Sequence, residues 1–367
     1  MKISAIISPH GFGHSARAVA VLQSLYRVSP ECQFDIITTV PEWFFKDSFT
    51  IESFEYIPFE TDVGVVQISP FIEDLPGTVE RLKSFLPFRN EKVQFLAKLL
   101  RERKSDLVLC DISPLGIASA KLANIPSVLV ENFTWDWIYE GYLDLEPRLG
   151  DYIPLLREVF EEADIHIQTE PVCEYRTADL TTKPVARSPR NGREVVRQSL
   201  GISPEQSMVL ITMGGIPHLL DQLQPLQSFP DAVFVIPGAS ETYERWENLM
   251  LLPHHHSYYH PDLVNASDVI VGKLGYSTIA EAYQSGVPYL YIPRNHFRET
   301  VPLAAFVERE LNGVMIEEQD FLSGGWLDIL PAVLSLPKRQ RDSGNGAEQI
   351  AQLVAEKFGL GISNIQT

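Results

Sequence analysis

Short apolar runs alternate along the chain with segments in which apolar residues recur at helical spacing. The first half contains apolar runs at 3–8, 34–40, 54–59, 106–111 and 127–132. They are apolar almost throughout, which is typical of strands that are buried on both faces of a parallel sheet. Between the first two runs, apolar residues recur three or four positions apart, at Ala18, Val21, Leu22 and Leu25, which indicates one buried face of a helix.

A second series of apolar runs follows a poorly periodic stretch at about 169–195, which is rich in Thr, Pro, Arg and Glu and indicates a connection between domains. The second series comprises 207–215, 232–238, 268–273 and 289–293. We therefore predict an α/β fold with two Rossmann-like, doubly wound parallel-sheet domains that face a cleft. The N-terminal domain is expected over 1–180 and the C-terminal domain over 181–345. Residues 346–367 are expected to form a helix and tail, for which packing back on the first domain is one option.

The composition is that of a globular protein and excludes some classes of partner. The 367 residues are 45% apolar and 21% charged, with a formal net charge of −18. Lys and Arg form no cluster, so we expect no nucleic-acid partner. No apolar stretch reaches about 18–20 residues, so no membrane span is expected. Cys32, Cys110 and Cys173 are far apart in the sequence, which favours reduced thiols and a cytoplasmic location.

A turn with two glycines follows the first predicted strand, in the segment SPHGFGHSAR. Gly11 and Gly13 with Ala16 match the G-x-G-x-x-G/A pattern of dinucleotide-binding loops. That pattern also requires an acidic residue at the end of the second strand, where it binds a ribose hydroxyl. The second strand ends here in the residues TTV at 38–40, so the sequence argues against a dinucleotide site.

His14 lies in the same turn, where the first strand gives way to the first helix. Ligands bind at the carboxyl edge of open α/β sheets, and a neutral imidazole there is suited to act as a general base. The alternative is that His14 caps the helix or bonds to a neighbouring carbonyl. Arg17, on the first turn of the helix, either holds a carboxylate or phosphate or lies in solvent, and the sequence favours solvent.

A series of motifs resembles a known family. In chain order they are GFGHSAR, LCDISP, ENFTWDWIYEGY, TMGGIP, PGASE and ASDVIVGKLGYSTIAEA. They resemble glycosyltransferases of the GT-B fold, and most closely the glycosyltransferase-like N-terminal half of plant L-arabinokinases. The kinase half of those proteins has no counterpart in these 367 residues, so their kinase activity is not carried over. The resemblance implies two Rossmann-like domains, with a nucleotide-sugar donor bound mainly by the second domain and an acceptor bound by the first.

The segment GKLGYSTIAEA at 272–282 is the expected diphosphate site. Small residues at a strand end let the backbone approach a ligand, and the following helix N-terminus offers free N–H groups. The alternative is an ordinary strand-to-helix turn with a serine cap. The expected contacts to the nucleotide sugar are Gly272, Lys273, Gly275, Ser277 and Thr278, and the resemblance adds Glu281 as the acceptor of ribose hydrogen bonds.

Two further loops are expected to contact the donor. Gly214 and Gly215 in TMGGIP would let the chain pass close to the phosphates or the donor sugar, or would serve only a tight turn. By the resemblance, Arg294 and Glu299 in the loop that follows the strand at 289–293 reach the hydroxyls of the donor sugar. An aspartate is expected next to Arg294 in arabinokinase-like sequences, whereas this chain has Asn295, so the sequence leaves the donor sugar open.

The first domain supplies the expected acceptor side. Asp111 ends a central strand and is expected to orient His14, or alternatively to cap a helix. Sugar rings stack on aromatic side chains and their hydroxyls bind carboxylates, so an acceptor site is natural beside the aromatic segment at 133–142, unless its rings serve only hydrophobic packing. The acceptor-binding candidates are Gly11, Gly13, Trp135, Asp136 and Tyr139.

The function predicted from the sequence is transfer of a sugar from a UDP-linked or related donor to a hydroxyl of a small molecule or glycan, with His14 as general base. We expect no cofactor and no metal, because the histidines at 254–256 and 260 lack the spacing of a structural metal site. One alternative is a sugar-nucleotide-binding protein without turnover. Another is a sugar-nucleotide epimerase or hydrolase, which would need more carboxylates around the donor.

Overall fold

The computed structural model describes residues 1–51, 54–69, 71–88, 90–213, 223–339 and 344–360. Its strands form two seven-stranded sheets from separate stretches of chain. The two sheets and the helices around them form the GT-B fold, as expected. None of the helices in these ranges is both long enough and apolar enough to cross a membrane.

The first sheet has the strand order β3-β2-β1-β4-β5-β6-β7, and all neighbouring pairs are parallel. Its strands are β1 (Lys2–Ile7), β2 (Gln33–Thr38), β3 (Glu55–Pro58), β4 (Leu107–Asp111), β5 (Ser127–Glu131), β6 (Ile165–Thr169) and β7 (Leu180–Thr182). Its helices are α1 (Phe12–Val28), α2 (Glu42–Ser48), α3 (Leu75–Phe85), α4 (Asn90–Glu102), α5 (Pro114–Ala123), α6 (Trp135–Glu140) and α7 (Ile153–Glu161). A 3-10 helix spans Pro147–Asp151.

Side chains of the central strands alternate between two apolar clusters, one on each face of the sheet. In β1, Ile6 packs into one cluster, whereas Ala5 and Ile7 pack into the other. In β4, Val108 and Leu109 divide in the same way. Successive side chains of a strand point to opposite faces, so a strand covered on both faces must be apolar throughout. This is the physical reason for the continuous apolar runs.

The second sheet has the order β10-β11-β9-β8-β12-β13-β14, and only the pair β10–β11 is antiparallel. Its strands are β8 (Ser207–Thr212), β9 (Ala232–Pro237), β10 (Glu244–Trp246), β11 (Leu249–Leu252), β12 (Val269–Lys273), β13 (Tyr289–Ile292) and β14 (Val314–Met315). Its helices are α8 (Arg193–Ser199), α9 (Gln224–Gln227), α10 (His260–Ala266), α11 (Tyr276–Ser285), α12 (Thr300–Leu311), α13 (Glu318–Ser323) and α14 (Leu330–Leu334). A 3-10 helix spans Gly325–Asp328.

The connection between the sheets and the C-terminal helix tie the two halves together. The first sheet extends to Thr182, two residues past the boundary expected after residue 180. Helix α15 (Gly346–Phe358) packs against α1, and its residues Ile350 and Val354 lie in the apolar cluster of the first domain. Asn345 caps α15 and also accepts a 3.1 Å hydrogen bond from the backbone N–H of Ala186. The chain therefore returns from the second domain to the first.

Candidate active site

An inner pocket of about 80 Å3 lies between the two domains. It is lined by the β1–α1 turn, the β12–α11 turn and the loop from β13 to α12. A Cβ atom placed on Gly13 would lie 3.7 Å from Oγ of Ser277, so the two turns are in close contact. The structure thus brings together predicted site residues from both domains, and those lining the pocket are Gly11, Gly13, His14, Lys273, Gly275, Ser277, Thr278, Arg294 and Glu299.

His14 lies in the first turn of α1 and is 8% exposed. Its Nδ1 atom is 2.9 Å from Oδ1 of Asp111, at the end of β4. Burial favours a raised pKa for Asp111, but the charge of Arg17 and the hydrogen bonds from Arg17 and His14 outweigh burial and lower this pKa. The ionised carboxylate accepts the Nδ1 proton. The Nε2 lone pair of His14 is then the one available to a substrate.

Arg17 is 1% exposed, so the expectation that it lies in solvent is wrong. Its Nε and Nη2 atoms each donate to Asp111 at 2.8 Å, and Nη1 donates to Oδ1 of Asn132 at 2.7 Å. Nδ2 of Asn132 in turn donates to Oε1 of Glu299 at 2.9 Å. The pair His14–Asp111 is therefore connected to the second domain through a chain of buried hydrogen bonds.

Asn132 and His10 also line the inner pocket, and neither is among the site residues predicted from the sequence. Asn132 directly follows β5, and ligands bind at the carboxyl ends of parallel strands. This position after a strand is the feature of the sequence that could have identified Asn132. The His10 ring packs edge-on against Trp135 at 5.2 Å between ring centroids. Burial first, and then the nearby charges of Arg294, His14 and Lys273, lower the pKa of His10, so it is a neutral ring of the pocket wall.

Helix α11 presents its N-terminus to the pocket. Its N-cap residue is Gly275, and no side chain forms a cap hydrogen bond there. Gly272 has φ of +153°, and a Cβ atom would lie 1.9 Å from the carbonyl oxygen of Thr212, so no larger residue fits at this strand end. Uncapped N–H groups and the positive end of the helix dipole favour an anion beside Ser277 and Thr278.

A larger cleft of about 540 Å3 adjoins the inner pocket, and Ser277 and Thr278 line both. Aromatic side chains from the two domains meet across this outer cleft. Trp43 stacks on His255 at 4.4 Å between ring centroids, and Phe12 stacks on His254 at 5.4 Å. The volume and the aromatic walls suit a planar base and its ribose.

The histidine tract at 254–260 contributes to the wall of the outer cleft. Nε2 of His255 lies 2.8 Å from Oδ2 of Asp47, and Nδ1 of His260 lies 2.7 Å from Oε2 of Glu281. Within the part of the chain that the structure describes, no group of three or more His, Cys, Asp or Glu side chains could hold a metal ion. These rings therefore pair with carboxylates and other rings.

Glu281, the residue expected to bind the ribose, is held by other side chains. Nε of Arg187 donates to its Oε1 atom at 2.9 Å, and His260 engages Oε2. Burial favours a raised pKa for Glu281, but the charges of Arg187 and His260 outweigh it and lower the pKa. Arg187 also donates to Oγ of Ser48 at 2.9 Å, so Glu281 holds an arginine that spans the two domains.

The expected acceptor residues of the aromatic segment lie inside the first domain and line neither cavity. Trp135, Asp136 and Tyr139 are at most 1% exposed. Trp135 donates through Nε1 to Asp62, and the Tyr139 hydroxyl donates to the carbonyl oxygen of Gly64 at 2.7 Å. Asp136 forms ion pairs with Arg157 at 3.3 Å and Arg176 at 3.2 Å. These three side chains pack and orient the segment, which is the alternative considered for the aromatic rings.

The predicted contacts Gly214 and Gly215 lie outside the described residues.

No family model matches the sequence. Among curated proteins, the chain is 28% identical to L-arabinokinase of Arabidopsis thaliana over 355 residues, which cover 95% of this chain and 34% of that protein. The chain thus spans about a third of the length of this relative. It is also 27% identical to the UDP-N-acetylglucosamine--N-acetylmuramyl-(pentapeptide) pyrophosphoryl-undecaprenol N-acetylglucosamine transferase of Halalkalibacterium halodurans, over 78% of each chain.

Solved structures share the architecture. The crystal structure of Arabidopsis thaliana UGT89C1 in complex with UDP has a TM-score of 0.62 at 14% identity, and covers 97% of this chain and 99% of the other. At this identity the likeness shows the fold. The sequence relatives and structural neighbours are GT-B glycosyltransferases, as the motifs implied, and they support an enzyme that transfers sugars.

Proposed function

We propose that this chain, whose relatives and structural neighbours are GT-B glycosyltransferases, transfers a sugar from a UDP-linked donor to an acceptor hydroxyl, with His14 as the general base. The observation that carries the proposal is the placement of His14. Its ring is bound to Asp111 through Nδ1 and lines the same pocket as the N-terminus of α11. A base thus lies beside the site where a diphosphate leaving group is best stabilised.

The two cavities suggest how the donor binds. The nucleoside occupies the outer cleft, whose volume of about 540 Å3 and aromatic walls suit a base and a ribose. The diphosphate lies at Ser277 and Thr278, which border both cavities. The sugar then extends into the inner pocket, where its anomeric carbon comes close to His14.

In the proposed reaction, the acceptor oxygen attacks the anomeric carbon while its proton passes to Nε2 of His14. The bond between the anomeric carbon and the diphosphate oxygen breaks, and the electron pair leaves with UDP. The N-terminus of α11 stabilises the charge on the departing diphosphate without a metal ion. Asp111 stabilises the imidazolium that forms, and Arg17 holds Asp111 in place.

The acceptor is proposed to enter beside Gly11 and Gly13, where the backbone of the first domain lines the pocket. Cys32 and Cys110 are buried free thiols, and Cys173 is a partly buried one. These thiols fit a reducing compartment such as the cytoplasm. A hydroxyl-bearing small molecule or glycan of that compartment is therefore the proposed acceptor class.

The test compares the wild-type protein with H14N. Asparagine keeps a polar side chain but cannot take a proton, so we expect transfer to fall by about 10²–10⁴-fold while UDP still binds. UDP binding is measured by thermal shift, where a ligand at 100 times its Kd stabilises by about 2.7 kcal/mol. Transfer is measured as UDP release from a donor and acceptor panel.

Unchanged turnover in H14N would exclude His14 as the base. A protein that binds UDP-sugars but releases no UDP with any acceptor would instead be the binding module considered above. The variant H166N, altered in β6 and outside the linings of both cavities, is a control for general effects of removing a histidine. No stabilisation by any uridine nucleotide would overturn the proposed donor.

A further inference from the structure

We propose that the sugar of the donor carries a carboxylate, so that the substrate class is a UDP-linked uronic acid, and that Lys273 binds this carboxylate. The inference rests on the proposed function and concerns the sugar end of the same donor. It follows from a buried cation in the inner pocket that has no partner among the residues that the structure describes.

Lys273 ends β12 and lines the inner pocket, and only 9% of its surface is exposed. Its ammonium group forms no hydrogen bond or ion pair with any residue that the structure describes. Buried lysines are almost always paired, because an ammonium group loses its hydration on burial. A partner that arrives with the substrate accounts for this arrangement.

Arg294 adds a second buried cation to the same pocket. It is 6% exposed, its Nη2 atom lies 3.3 Å from Oε2 of Glu299, and its buried Nε atom has no partner among the described residues. Glu299 also accepts from Asn132, so its charge is shared. Besides Arg17, which is paired with Asp111, two cations thus line the pocket together with one carboxylate, Glu299.

Glu73 is the other carboxylate of this neighbourhood. It acts on the pKa of both Lys273 and Arg294, yet it does not line the pocket and forms no ion pair with either in the described structure. Its Oε1 atom is itself buried and has no hydrogen-bond partner in the described ranges. Glu73 therefore moderates the positive field of the pocket without neutralising Lys273 by contact.

The position of the cations distinguishes a sugar carboxylate from the diphosphate. Ser277 and Thr278 line both cavities, whereas Lys273 and Arg294 line the inner pocket alone. With the nucleoside in the outer cleft and the diphosphate at α11, the group that enters the inner pocket is the sugar. The anion that reaches Lys273 is therefore a substituent of that sugar.

The pKa of Lys273 agrees with this geometry. Burial, and then the charge of Arg294, lower it from 10.5 to about 7. A carboxylate beside the ammonium group would raise the pKa again and favour the charged form. The pocket is thus expected to take up a proton when the acidic sugar binds near pH 7 or above.

The experiment measures by calorimetry the binding of two matched donor pairs to the full chain, UDP-glucose against UDP-glucuronate and UDP-galactose against UDP-galacturonate. UDP alone is a third arm. At least one uronate should bind about tenfold or more tightly than its neutral partner, as expected for a charge-assisted hydrogen bond. In K273M that preference should fall to less than about twofold, while UDP affinity stays within about twofold of wild type.

K98M removes one exposed lysine of α4 and is the matched control, which should keep the preference of the wild-type protein. Thermal unfolding of K273M checks its fold. If K273M weakens UDP alone as much as the uronate, Lys273 binds the diphosphate and the inference is overturned while the proposed function stands. A neutral sugar preferred by the wild-type protein would also overturn it. Failure of every uridine ligand to bind would overturn the proposed donor itself.

Discussion

The turn after β1 and the turn after β12 have similar local structure but differ in whether their cation is paired. Each leads from a buried strand through glycine into a helix that faces the inner pocket. The first turn carries His14 and Arg17, and its cation is paired with Asp111 in a bidentate contact. The second carries Lys273, a cation without a partner in the described structure. In the proposed reaction, the first turn positions the base, whereas the second turn binds an anion.

The largest expected effect comes from removing the paired cation. R17M would leave Asp111 buried without its arginine, so we expect the free energy of unfolding to fall by about 3–5 kcal/mol. Urea unfolding of R17M and wild type measures the loss. R157M is the matched control, since Asp136 keeps Arg176 and the Arg157 side chain is 42% exposed. Equal losses in the two variants would contradict the difference drawn between the fully buried pair Arg17–Asp111 and a pair whose arginine is partly exposed and whose carboxylate keeps a second arginine.

Removal of Lys273, which has no partner in the described structure, should change stability in a way that depends on pH. Because the folded-state pKa of Lys273 is about 7 and its unfolded value about 10.5, the folded protein binds fewer protons between these values. The wild-type protein therefore gains stability relative to K273M as pH rises from 7 to about 10, on the order of 1.4 kcal/mol for each unit of pKa difference. Below pH 7 the full cost of the buried charge remains, and K273M should be the more stable protein.

The measurement is urea unfolding of both proteins from pH 6 to pH 10. Other groups around Lys273 are Arg294, Glu299, Glu73 and His10, and all of them are the same in both proteins. Their contributions cancel in the difference except where a pKa depends on Lys273 itself, as that of His10 does. A stability difference that does not change with pH would mean that Lys273 keeps an ordinary pKa, and would weaken the contrast between the turns.

The glycines of the two turns give the smallest effects and a direct comparison. G272A places a Cβ atom against the carbonyl of Thr212 at a positive φ, so we expect a loss of about 2–3 kcal/mol in unfolding free energy. G13A adds a methyl group at an ordinary contact distance from Ser277 within a helix, so we expect a change within about 1 kcal/mol. Chemical denaturation measures both. If the unfolding free energy of G13A fell as much as that of G272A, the predicted difference between the two glycines would be wrong.

Strands buried on both faces were the part of the fold most open to prediction. Each predicted strand is present, because a strand between two helical layers needs apolar residues at every position. Of the strands that were missed, β11 (Leu249–Leu252) is apolar and buried throughout, whereas the others are short or partly polar. β6 (Ile165–Thr169) carries His166 and Gln168, which bind Glu131, and β14 (Val314–Met315) has two residues at the edge of its sheet. Such segments form strands because they pair with neighbouring strands of the sheet.

The residues of the candidate site likewise divide into those that could be placed from the sequence and those that could not. Residues at strand ends, such as His14, Asp111 and Thr278, were identified because parallel sheets place their carboxyl ends at one edge. Trp135, Asp136 and Tyr139 were assigned to the cleft by residue type, and the structure turns them into the first domain. Residue type indicates what a side chain can bind, but the direction in which it points depends on packing.

The sequence by itself determined the two-sheet architecture, the two glycine turns and the residue types in them, because apolar periodicity and turn chemistry are local properties. Only the tertiary structure decided which charges meet. Arg17 pairs with Asp111 across 94 positions of sequence, and Asn132 bonds to Glu299 across 167. Within the described ranges Lys273 has no partner for the same reason: a buried charge is stabilised only by groups that the fold brings within hydrogen-bond distance.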